Sequence, residues 1–364
     1  MYNEFNRNTK SPHDAQICYY SLTLALTMIL PSILAFANFI LYCTASASES
    51  RGVFGGSGLN RLDKIKSMYA WEGFVYDIES CRSTSEMIQD FSEMKARGAR
   101  VVITFEFCGT GADVVYYDDV ITAAEIAGIN IIPLAWTLPI HAVGQTYGPN
   151  DTFLLKSVPR IEAVTQAVIN NPDLVLAIAI GDEPLYDNDA GSPTALALYI
   201  TEVRHNLSTA GLQDIPLSIS DLAFGWQSSG NITPVADAVD FFMVNNFPYF
   251  AFDATTGGNA STSWNDFIQD IEYFESIADG RPILVTQTGW PTNEDEFAPN
   301  SADIVASVPS SEGFWDLLDS HCEDYFKSMN IGWMWRSWED DIDGWGVKYL
   351  NGSDKWQWTA RMKC

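Results

Sequence analysis

"LVLAIAIGDEPLY", residues 174–186, sets the terms of the fold. Its apolar residues run without a polar break from Leu174 to Ile180, and then a glycine, two acids and a proline end the run. A strand with one wet face would show a polar side chain at every second position. A continuous apolar run fits a parallel strand covered on both faces. The pattern recurs in "LVTQTGWPT" (284–292), where the run passes through Gln287 into a Gly-Trp-Pro turn. Further runs span 67–71, 100–105, 130–136, 215–219, 241–245 and 331–335, and the one ending near Gln287 starts at Pro282. Helical patterns separate most of them. In "STSEMIQDFSEMKARG" (83–98), Met87, Phe91 and Met94 fall on one helical face. Eight such units predict an α/β fold, a single (β/α)8 TIM barrel, with an open doubly wound sheet as the alternative.

Composition narrows the function classes. Of 364 residues, 47% are hydrophobic and 13% aromatic, enough for a large core. The formal charge of -27 and the lack of any basic cluster exclude nucleic acid as a partner. Residues 17–43 carry no charge, and Ala45-Ser46-Ala47 follows in an A-x-A pattern. The segment 1–47 is therefore expected to be a cleaved signal peptide or, alternatively, a type II signal-anchor, the only route to a membrane. A Ser/Gly linker is expected over 48–63, and a single domain of catalytic size over 64–364. Both alternatives place that domain outside the cell or at its surface. Sequons at Asn150, Asn206, Asn231, Asn259 and Asn351 are glycosylation candidates, and Cys81, Cys108, Cys322 and Cys364 can form two disulfides in any of three pairings. No C-x-x-C, P-loop, H-E-x-x-H, dinucleotide fingerprint or G-x-S-x-G elbow occurs beyond the N-terminal segment, so no cofactor and no metal are expected, and a Ser or Cys hydrolase is disfavoured.

In a barrel of this kind the chemistry sits at the C-terminal strand ends. Those ends carry Asp182 and Glu183, Asn246 and Tyr249, Gln287 and Trp290, and Arg336. Each could be a mere cap at the start of a loop. Glu183 is the exception: a carboxylate behind a long apolar run and ahead of a Pro-Leu-Tyr turn suits a site better than a surface. Trp136, Trp290, Trp333, Trp335 and Trp338 share this end. Some belong to the core, and the others would offer flat faces for stacking pyranose rings.

"IGDEPLY" (180–186), "NNFPYF" (245–250), "QTGWPT" (287–292) and "WRSWEDD" (335–341), in that order, resemble glycoside hydrolase family 17, the β-1,3-glucanases and cell-wall glucan transglycosylases of fungi and plants. "YDIESCRSTSEMIQDF" (76–91) resembles the fungal branch, and the likeness runs from about Met68 to Trp345. It implies a barrel, a retaining mechanism and β-1,3-glucan as the partner. Glu183 matches the acid/base, Gly289-Trp290-Pro291 the turn after the nucleophile, and Tyr249 a substrate-lining aromatic. Three positions depart. Gln287 stands where the family has its nucleophilic glutamate. Asp182 replaces an asparagine that holds the sugar 2-hydroxyl, and Arg336 replaces a glutamate.

Retaining catalysis needs two carboxyls about 5–5.5 Å apart, one attacking and one protonating. A carboxamide cannot form the glycosyl ester. It also withdraws the like charge that holds a proton on the acid, and Arg336 is expected to push Glu183 further toward ionisation. Position 287 is expected to face the sugar opposite Glu183, with Asp182 restoring some charge but not attacking. Two readings follow: a secreted or surface β-1,3-glucan-acting protein of weak or altered activity, or a silent β-glucan-binding pseudo-glycosidase of the wall.

Overall fold

Eight apolar stretches become eight parallel staves in the computed structural model, which describes residues 60–140, 146–251, 261–342, 344–359 and 361–364. The expected signal or anchor segment, nearly all of the linker, and Asn259 lie outside the described residues. The strands are β1 (Ala70–Asp77), β2 (Val101–Phe105), β3 (Asn130–Ile132), β4 (Leu134–Ala135), β5 (Ile178–Asp182), β6 (Leu217–Asp221), β7 (Phe242–Asn245), β8 (Ile283–Thr288) and β9 (Gly332–Trp335). β3 and β4 are halves of one stave, split at Pro133, which has no N–H to give the ladder. The sheet order is β3-β2-β1-β9-β8-β7-β6-β5-β4. Since β3 runs on into β4, that order closes into a TIM barrel, and a parallel bridge from Ile131 to Val175 crosses the seam.

Helices α1 (Arg61–Lys66), α2 (Thr84–Ala96), α3 (Val114–Ala127), α4 (Val158–Asn170), α5 (Pro193–Thr209), α6 (Ala223–Ser228), α7 (Thr233–Ala238), α8 (Ser261–Ala278) and α9 (Val308–Ser320) lie along the chain between and around the strands. α2 begins in a capping box between Ser83 and Glu86 and buries Met87, Phe91 and Met94, as its spacing requires. α1 lies in the stretch read as the end of the linker. Asn60 caps it, and Arg61 donates to the carbonyls of Val175 and Pro172, so the barrel domain includes residues before Lys64.

Alternate strand residues feed two buried clusters. Phe74, Val102, Ile178, Phe242, Val285 and Trp333 pack in one, on the outer face. Val75, Ile103, Ala179, Met243, Leu284 and Met334 form the other, in the barrel interior. Gly73 is required where β1 meets β2: a Cβ there would lie 1.8 Å from the Val101 carbonyl oxygen. Of the three possible cysteine pairings, the chain uses Cys81–Cys108 and Cys322–Cys364. The first ties the loop after β1 to the loop after β2, at the same end as the candidate site.

Candidate active site

Two strands break their alternation on reaching the barrel mouth. In β5, Ala179 faces inward, so strict alternation would turn Asp182 out toward the helices. A register shift between Ala179 and Asp182, with Gly181 at φ 97°, re-aims the tip. A Cβ on Gly181 would meet the Thr137 Oγ1 at 2.2 Å, so a glycine is needed there. Glu183 follows at φ 53°, its N–H donating to the Ser220 carbonyl at 2.7 Å. β8 does the same: Leu284 faces inward, and a shift between Val285 and Thr288 turns Gln287 inward as well. Bulges of this kind at barrel rims re-aim side chains.

The side chains so placed form one hydrogen-bonded row. Asn245 Nδ2 donates to Asp182 Oδ1 at 3.0 Å and to Glu183 Oε1 at 3.1 Å. Asn245 is held in turn by Ser220 Oγ, which donates to its Oδ1 at 2.7 Å and lies 2.8 Å from Thr286 Oγ1. Gln287 Nε2 donates to Asp182 Oδ1, and Arg336 Nη1 donates to Gln287 Oε1 at 2.7 Å. The Arg336 guanidinium lies 3.9 Å above the Phe105 ring. Gln287 has no exposed surface, so the expectation that it faces a sugar opposite Glu183 is not met, while Glu183 and Arg336 are half-buried. These contacts fix the amide orientation of Gln287: its nitrogen faces the acid and its oxygen the cation.

Burial pushes the Glu183 carboxyl up to about 8, and the charges of Asp182 and Asp187 push in the same direction, against Asn245 and Arg336. Arg336 opposes that rise, as expected, but burial and the neighbouring carboxylates outweigh it. Desolvation and Asp182 do what a second catalytic carboxylate would otherwise do. Asp182 is itself raised by burial, with Arg336 the largest opposing influence. Other acids ring the mouth: burial raises Asp77 to about 7 and Glu106 to about 9, and Arg336 offsets both.

Several expected site residues lie elsewhere. Asn246 turns away from the mouth, its Nδ2 donating to the Phe267 carbonyl on α8 at 2.8 Å. Its neighbour Asn245 takes the place in the site. Tyr249 is fully buried, donates to the Phe297 carbonyl at 2.8 Å and packs edge-on against Trp290 and Trp345. Trp290 is buried with its indole N–H on the Val305 carbonyl, and Trp136 is buried against Phe105 with its N–H on the Ile140 carbonyl. Trp333, Trp335 and Trp338 are core as well. The indoles expected to stack sugars instead wall the barrel, because each finds a carbonyl or a ring inside it. Among the described residues, Tyr186 lies near Glu183 with its ring exposed, and the exposed Phe224 ring is 6.1 Å from it. Asn245 was legible in principle: with Met243 inward, the residue two places on must also face inward.

Residues 70–342 match the model of the BtgE/BtgC glycoside hydrolase domain. A probable glucan endo-1,3-β-glucosidase of Aspergillus niger is 32% identical over 44% of this chain and 35% of its own length. The corresponding protein of Emericella nidulans is 29% identical over 54% of this chain and 44% of its own length. The chain thus spans less than half the length of these curated relatives. Among solved structures, an active-site mutant of the Rhizomucor miehei β-1,3-glucanosyltransferase in complex with laminaritriose aligns with a TM-score of 0.57 and 20% identity, over 80% of this chain and 98% of that one. An endo-laminarinase from Formosa Hel1_33_131 aligns at 0.59 and 14% identity, over 78% and 84%. At these identities the likeness is one of fold.

Proposed function

The chain belongs to the BtgE/BtgC glycoside hydrolase family, and from that premise we propose that it is a β-1,3-glucan-binding protein of family 17 type whose acid/base, Glu183, is intact and whose nucleophile is gone. The observation that carries this reading is the row Glu183–Asn245–Asp182–Gln287–Arg336. Glu183 sits half-buried with its proton held to about 8, as a leaving-group acid requires. Gln287 occupies the strand end where a retaining enzyme needs a carboxylate, and both ends of its amide are engaged.

The resemblance pairs an asparagine before the acid with a glutamate on the opposite strand. This chain pairs Asp182 with Gln287. Carboxylate and amide have changed places across a single hydrogen bond, so the negative charge leaves the attacking position. Ordinary double displacement is thereby disabled, and ring stacking and hydroxyl contacts are not. The relatives named for endo-1,3-glucosidase activity and the laminaritriose-bound neighbour support glucan as the ligand. Two disulfides and the exposed sequons at Asn150, Asn206, Asn231 and Asn351 support an extracellular or wall location.

The test is calorimetry and product analysis with laminari-oligosaccharides. The expected result is measurable binding with little or no cleavage by the wild type, and cleavage by the double variant Asp182→Asn/Gln287→Glu. Fast cleavage by the wild type would overturn the reading, and so would absence of binding. Complete lack of turnover with binding retained selects the silent binder, which the zero exposure of Gln287 favours.

A further inference from the structure

We propose that Ser220 and Thr286 are positioning residues of this site: with Asn245 they form a one-way chain of hydrogen bonds beneath the acid pair, which leaves the proton on Glu183 and the charge on Asp182. The inference rests on the reading of Glu183 as the acid/base and adds to it the residues that decide which acid is charged.

The chain crosses three adjacent strands, with Ser220 on β6, Asn245 on β7 and Thr286 on β8, and none of the three has exposed surface. Hydroxyls this deep in a barrel cost stability unless they are bonded. Their hydrogens can be assigned one after another, starting from the carboxyls. Asn245 meets Asp182 Oδ1 at 3.0 Å and Glu183 Oε1 at 3.1 Å. An ionised carboxylate only accepts, so the amide turns its N–H groups toward the pair. Its Oδ1 then lies 2.7 Å from Ser220 Oγ and needs a donor there. A hydroxyl has a single hydrogen. Ser220 directs its own to Asn245, so the 2.8 Å contact between Ser220 and Thr286 is a bond that Thr286 donates. The other acceptor near Thr286, the Val244 carbonyl, is farther off at 3.4 Å. Each member is therefore oriented by the one before it, from Thr286 to the carboxyls.

The far end of the chain is unequal. Asp182 Oδ1 accepts from Gln287 Nε2 as well as from Asn245, and Arg336 is the strongest influence favouring its ionisation. Glu183 accepts from Asn245. Around Glu183 stand the carboxyls of Asp182, Asp187, Asp189 and Asp221, the neutral Tyr186 hydroxyl and the Arg336 guanidinium, so acids outnumber the one cation. Two carboxyls that converge on one donor do not both ionise readily, and hydrogen bonds to the charged form favour it. Asp182, with two amide donors, takes the charge, and Glu183 keeps the proton.

The test is a carbon-13 NMR titration of the full chain labelled at its glutamate carboxyls, with the Glu183 signal identified by its loss in Glu183→Gln. In Ser220→Ala, Asn245 Oδ1 loses its donor, and the amide is free to turn that oxygen toward a protonated carboxyl. The Glu183 titration should then move up by about one pH unit, roughly a tenfold fall in its dissociation constant. Thr286→Val keeps the side chain's shape without its hydroxyl and should move the titration the same way, by about threefold in that constant. Thr286→Ser, which keeps the hydroxyl, should titrate as the wild type does. A purely structural role lowers stability without moving a proton, so a titration that neither Ser220→Ala nor Thr286→Val raises overturns the inference. Thr286→Val decides alone should Ser220→Ala fail to fold. If wild-type Glu183 titrates high and both variants leave it there, this inference alone fails; if wild-type Glu183 titrates in the ordinary carboxylate range, the acid/base reading fails with it.

Discussion

The tips of β5 and β8 use the same backbone device for opposite ends. Each strand slips its register near the mouth and swings inward a side chain that alternation would have sent outward. β5 delivers two acids side by side, whereas β8 delivers an amide. A buried carboxylate facing a neutral amide and a nearby guanidinium keeps its hydrogen bonds without a second like charge across the gap. The difference shows that one backbone device can set a pair of acids on one strand end and a neutral amide on another.

The strongest way to break the comparison is to remove the acid. Glu183→Gln, introduced into the cleaving variant Asp182→Asn/Gln287→Glu, should cost about 10²–10⁴-fold in turnover of a substrate with a poor leaving group, measured against an activated aryl glycoside that hardly needs the proton. Next comes the reciprocal swap. Asp182→Asn/Gln287→Glu should raise laminari-oligosaccharide cleavage at least about 100-fold, and Gln287→Glu alone should do less, because it sets two carboxylates against each other at the Gln287–Asp182 contact.

A smaller effect comes from the cation. Arg336→Met loses the bond to Gln287 and leaves Asp182 and Glu106 without their offset, which should cost about 1–3 kcal/mol of stability by chemical denaturation. Protonation sharpens the same point. Glu183, Glu106 and Asp77 have folded-state values raised to about 8, 9 and 7. The folded chain therefore holds protons that the unfolded chain releases near its ordinary carboxylate range. The stability these groups contribute should be full below about pH 4 and should be lost as pH rises to about 9, and a melting temperature that climbs over this interval would contradict the burial of these acids. The acid-dependent rate should fall as pH rises through about 8, and Asp182→Asn should move that limb lower by removing a like charge. The smallest effect separates two neighbours. Asn246→Ala should leave glycan affinity within about twofold of wild type while lowering stability, since its side chain holds α8, whereas Asn245→Ala should weaken both affinity and turnover.

The sequence by itself determined the staves and the chemistry they carry. Continuous apolar runs can be satisfied only where both faces are covered, so the parallel barrel was legible, and so were the acid pair and the glutamine at the ends of their runs. Residue choice at 182, 183 and 287 is a local property of the chain. Orientation is not. Alternation correctly points Asn245 and Arg336 inward from Met243 and Met334, but it points Asp182 and Gln287 outward, and only pairing with neighbouring strands creates the shifts that turn them. The fate of the indoles was likewise a tertiary matter. A tryptophan at a strand end can stack a sugar or fill a wall, and the position of a carbonyl such as that of Val305 or Ile140 decides between them. The proton affinity of Glu183 was set the same way, because burial depends on every element packed around it and not on the residues beside it in the chain.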